Sequence, residues 1–91
     1  MVGTFSRSIT IIVSDLHQGG FISDAADLQR LADLTLDQTL PFHARIDALK
    51  QIEMRCHVKW LGDLYLPLLS QKEWWTRLEK LRKSTAKLLP G

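Results

Sequence analysis

Apolar residues recur along this chain at spacings of three and four, and that periodicity constrains the fold more than any other feature, because only an α-helix gathers such positions on one face. Phe5, Ile9, Ile12, Val13 and Leu16 follow it, as do Ala25, Leu28, Leu31, Ala32 and Leu36, and later Trp74, Leu78, Leu81, Thr85 and Leu88. The expected class is therefore all-α, a compact bundle of about four helices with short connections. Ninety-one residues suffice for one modest core and not for two, so a single helical domain over 1–91 is expected. A strand competes at one place only, the β-branched run Ile9-Thr10-Ile11-Ile12-Val13. No second convincing strand exists to pair with it. Helix is expected there, with Ser6 or Ser8 as cap and Gly19-Gly20 as the stop, and strand stays the alternative.

The second helix is expected to start at Ser23 as N-cap, with Asp24 and Asp27 at the positive end of its dipole. Thr39 to Pro41 then break and restart the chain. The third helix is expected over residues 42–61, carrying one apolar stripe through Phe42, Ile46, Leu49, Cys56 and Trp60 and a second through Met54, Val58 and Leu61. Glu53 falls within the first stripe, where a carboxylate needs a partner, and His57 lies four residues on. The apolar linker after Gly62 is expected to pack under the bundle as a short helical turn. Ser70-Gln71-Lys72-Glu73 is a capping box, with Leu69 and Trp74 as its hydrophobic staple, and it opens the fourth helix.

Charge divides along the chain. Residues 1–44 hold two basic and five acidic side chains, a net −3, whereas residues 45–91 hold ten and five, a net +5. A basic binding surface and the packing of an acidic helix beside a basic one both produce such a division. The lone cysteine, Cys56, forms no internal disulfide, no apolar run is long enough to span a bilayer, and Ile9 to Val13 is too short for a secretory core. A cytoplasmic protein without a membrane partner is expected.

Ile11-Ile12-Val13-Ser14-Asp15-Leu16-His17 resembles the first metal-binding motif of calcineurin-like metallophosphoesterases, in which a strand delivers Asp-x-His to a two-metal site. The resemblance implies Asp15 and His17 as metal ligands, and Leu61-Gly62-Asp63 as part of that family's Gly-Asp-x-x-Asp motif. Leu66 stands where the second Asp is due, no Gly-Asn-His-Glu motif follows, and the family's αββα sandwich needs a far longer chain. Two-metal chemistry requires a full ligand set. Asp15 and His17 are instead expected near a helix C-terminus. His43 and His57 sit about 21 Å apart along a straight helix, too far to share a metal. Cys56, on an apolar stripe, reads as an inert thiol. No catalytic residue, metal or cofactor is expected, and the chain is expected not to be an enzyme.

Binding is the expected mode of action. The surplus stripe of the third helix, with Trp75, suggests an interface through Met54, Val58, Leu61 and Trp75, made with a partner protein or a second copy. The expected function is a small interaction module, an adaptor, inhibitor or regulatory subunit acting by stoichiometric binding. The alternative uses the fourth helix, net +4 over residues 71–91, whose Lys80, Arg82, Lys83 and Lys87 suit nucleic-acid phosphates or an acidic partner.

Overall fold

The computed structural model describes residues 2–57 and 59–90, the side chain of residue 2 excepted. Four helices form: α1 Val2–Gln18, α2 Ile22–Leu36, α3 Phe42–Arg55 and α4 Gln71–Leu88, with a 3₁₀ turn at Leu61–Asp63 before α4. Among the described residues there is no strand.

Ile9 to Val13 are helical because burial outweighs propensity. A β-branched residue costs up to about 0.7 kcal/mol in a helix relative to Ala, and burying one stabilises by roughly 1.5–3 kcal/mol. Phe5, Ile9, Ile12 and Leu16 all lie in the core, whereas Ile11 faces outward. The helix begins at Val2, which places Ser6 and Ser8 inside it rather than at a cap. Its end is built by Gly20, at φ +86°, a value that L side chains rarely adopt. There the Phe21 N–H bonds the Leu16 carbonyl at 2.8 Å and the Gly20 N–H bonds that of His17 at 3.1 Å, a Schellman turn. The turn leads straight into α2. The Phe21 carbonyl already accepts from Ala25, so Ser23 is inside the helix instead of capping it, and Asp24 occupies the first turn as expected.

Between α2 and α3 the Asp37 carboxylate accepts from both the N–H and the hydroxyl of Thr39. Those bonds turn the chain and hold the Asp37 carboxyl below its ordinary range. Pro41 then caps α3.

α3 is shorter than its periodicity suggests. It ends at Arg55, after which the N–H groups of Trp60 and Gly62 both turn back to the His57 carbonyl. The expected stripe is corrected accordingly. Ala48, Leu49, Ile52 and Cys56 face the core, while Phe42 and Trp60 are 66% and 46% exposed. Glu53 lies half-buried at the margin, and His57, past the helix end, accepts from the Lys59 N–H through Nδ1. The segment after the stop is held by α4. Leu61 and Gly62 turn inward and present their carbonyls to the Trp74 and Trp75 indole N–H groups at 2.8 and 2.9 Å.

The linker packs under the bundle through Leu66, which is buried, and Leu64 and Leu69, but not as the expected helical turn: the 3₁₀ turn ends at Asp63, residues 64–69 are not helical, and Tyr65 and Leu68 face outward. At the start of α4 the Ser70 hydroxyl accepts from the Glu73 N–H and donates to the Glu73 carboxylate, both at 3.1 Å. The inward face is the expected one, with Trp74, Leu78, Leu81 and Thr85 buried and Leu88 partly so. The four helices close a ring in which α1 packs on α2 and α4, and α3 packs on the same two. An Asp27–Arg55 ion pair ties α2 to α3, and Arg55 also lies 4.9 Å from the centre of the Trp60 ring.

Candidate functional site

Two adjoining hollows open along the α1–α4 side of the ring. The two helices run antiparallel, since Asp15 near the end of α1 meets Arg77 near the start of α4, while Thr4 and Arg7 lie beside Lys87 and Leu88. Ser8 and Ser84 are the small residues at the seam. A trough of about 670 Å³ runs over them, floored by Ile11 and Leu88 and rimmed by Arg7, Lys80, Lys83 and Lys87. A second hollow of about 580 Å³ shares Ser8, Ile11 and Lys80 with the first and continues it to Asp15 and Arg77.

Positive charge along this trough is not neutralised from within. Arg77 Nη1 donates to both oxygens of Asp15 at 2.6 and 2.7 Å, which closes one end. Among the described residues no carboxylate lies within ion-pair distance of Arg7, Lys80, Lys83 or Lys87. Glu79, the nearest acidic residue in sequence to Lys80, is taken by Arg82, whose hydrogen bonds hold its carboxyl below the ordinary range. Ile11 is 41% exposed amid these cations. Four like charges around an apolar side chain repel one another and leave that surface in water.

The expected site residues are thereby redistributed. Lys80, Lys83 and Lys87, at i, i+3 and i+7, line the trough together, whereas Arg82 turns aside to Glu79 and does not. Arg7 joins them. The sequence carried a signal for it, four residues before the outward Ile11, but the contact with α4 depends on tertiary pairing. Trp75 is 48% exposed and lines a hollow beyond the lysines, with Lys72, Lys80 and Lys83. Met54 is exposed on α3 and borders none of these hollows. Leu61, by contrast, is buried in the chain's own core. It is removed from the expected interface, because α3 stops before it and the stripe of Met54, Val58 and Leu61 is not on one helix. Val58 lies outside the described residues.

On a helix, residues two apart point about 200° apart, so Asp15 and His17 diverge, and Asp15 is already engaged by Arg77. Among the described residues no three His, Cys, Asp or Glu side chains gather as a metal site would require. Burial pushes the Cys56 thiol up to about 12, far from a nucleophile's range. Comparison with known protein families, with characterised proteins and with solved structures finds no match for this chain.

Proposed function

We propose that this chain is a non-enzymatic module that acts by stoichiometric binding, and that its α1–α4 trough takes an acidic segment of a partner protein. The observation that carries the reading is the set of four cations, Arg7, Lys80, Lys83 and Lys87, around the exposed Ile11, none with a carboxylate partner among the described residues. Opposite charge on a partner relieves their mutual repulsion, and an apolar side chain laid on Ile11 removes it from water. The competing reading is single-stranded nucleic acid. Trp75 favours it, since a half-exposed indole beside Lys72, Lys80 and Lys83 offers a base-stacking platform next to phosphate contacts. Ile11 favours the protein, because a phosphate backbone leaves it uncovered.

The test pans a display library of random 14-residue peptides against the wild-type chain and against the Lys80→Glu/Lys83→Glu variant, with a 20-nucleotide single strand as rival. The wild type is expected to enrich peptides rich in Asp and Glu, the variant to lose them, and the oligonucleotide to bind more weakly than the best peptide. Enrichment without acidic bias, or tighter oligonucleotide binding abolished by Trp75→Ala, overturns the proposal.

A further inference from the structure

The trough's dimensions specify the shape of its occupant as well as its charge. We infer that the occupant is an amphipathic helix of about three turns, with one apolar stripe flanked on both sides by carboxylates. This rests on the acidic-segment reading above and narrows it.

Length comes first. The trough runs from Arg77 to Leu88 along α4, about 16 Å at 1.5 Å per residue, the length of a helix of roughly eleven residues. Spacing comes next. Lys80, Lys83 and Lys87 stand one helical turn apart in succession, so a helix lying alongside α4 meets them with carboxylates at its own three- and four-residue spacing. An extended segment advances about 3.3 Å per residue and turns alternate side chains away, which puts successive same-face carboxylates out of step with the lysines. Cations also stand on both banks, Arg7 on α1 and the lysines on α4, with Ile11 and Leu88 between them. The complementary surface is thus acidic, apolar and acidic across its width. That is the cross-section of one face of a helix and not of a uniformly charged chain. Finally, Ser8 and Ser84 keep the floor low, so a third helix can approach to the 8–10 Å typical of packed pairs.

Two display libraries of 14-residue segments test this against the full-length chain. Both have the same composition of Leu, Ala, Glu and Gln. One places Leu at positions 4, 7, 8 and 11 with randomised Glu on both flanks, and the other permutes the same residues so that Leu alternates with Glu. The helical pattern is expected to be enriched at least tenfold over the permuted one. Its best member, made as a synthetic peptide, is expected to gain helical circular dichroism on mixing. Ile11→Asp and Lys83→Glu are each expected to abolish that binding with the thermal melt of the free chain retained. Ile11→Ala, which adds no charge, serves as a second variant and is expected to weaken binding severalfold.

Equal enrichment of the two libraries overturns the helix inference and leaves the acidic-segment reading standing. Enrichment of neither, or binding indifferent to both Lys83→Glu and Ile11→Asp, overturns the two together.

Discussion

At Cys56 the thiol is held protonated by burial, and its raised value gives stability a definite pH dependence. Between the unfolded value near 9 and the folded value near 12, the unfolded chain has lost a proton that the native chain keeps. Stability from this group is therefore fully present below pH 9 and is lost as pH rises through that window. Thiol-specific labelling at pH 8 is expected to be slow in the native state and fast in 6 M guanidinium; equal rates would contradict the buried position. Asp15 is the second diagnostic residue. With its carboxylate 10% exposed and Arg77 37% exposed, the pair is only half desolvated. Arg77→Ala is expected to cost about 1–3 kcal/mol in urea unfolding, less than the loss of a partner from a fully buried pair. That role was hidden in the sequence. Asp15 is 62 residues from Arg77, and its local context resembled a metal motif, so only the helix pairing reveals its partner. Lys80, Lys83 and Lys87 were legible, because their common face follows from helical spacing alone. Arg82 was not, since Glu79, three residues before it, competes for its guanidinium.

The most informative element is α1, where strand and helix make opposite demands on neighbouring residues. Ile12 is fully buried and Ile11 is exposed. Ile12→Ala is expected to destabilise by about 2–4 kcal/mol, and Ile11→Ala to stay within roughly 0.5 kcal/mol, both read from chemical denaturation. Comparable losses at the two positions would remove the helical assignment of this face. Periodicity was sufficient for α1 and α4, each of which buries a single stripe, and for α2 except at its end, where Leu36 is exposed and Thr35 is buried instead, its hydroxyl donating to the Leu31 carbonyl. It failed at the end of α3, where apolar spacing continued through Trp60 and Leu61 although the backbone had turned. The segment beyond the turn is held by long-range hydrogen bonds, from Trp74 to Leu61 and from Trp75 and Gln71 to Gly62. No local pattern encodes them. The start of α4 is the opposite case, since the Ser70–Glu73 cap is contained within four residues and was fully legible.

For the whole molecule, the ring of four helices explains why the charge division of the sequence is not a division of the structure into acidic and basic halves. α1 brings Arg7 from the acidic half to the lysines of α4, and Asp27 of α2 goes to Arg55 of α3. The resulting trough has both a cationic rim and an apolar floor, so its two contributions respond differently to salt. Raising ionic strength from 0.05 to 0.5 M is expected to weaken an acidic helix by about tenfold without abolishing it, because the Ile11 contact is unscreened. Collapse by about a thousandfold or more is the behaviour of phosphate binding and would favour nucleic acid. The tryptophans supply one more consequence. Trp74 is sealed in the core on the Leu61 carbonyl, Trp60 lies over Arg55, and Trp75 is anchored to Gly62 with half of its surface in water beside Lys80 and Lys83. Their fluorescence is accordingly expected to be heterogeneous, with a short-wavelength component shielded from iodide and a longer-wavelength one open to it. An occupant of the trough that reaches over the lysines is expected to shift the quenchable component to the blue and protect it from iodide, and Trp75→Phe is expected to erase that change. Trp75 would thus serve as an optical reporter at the rim of the trough.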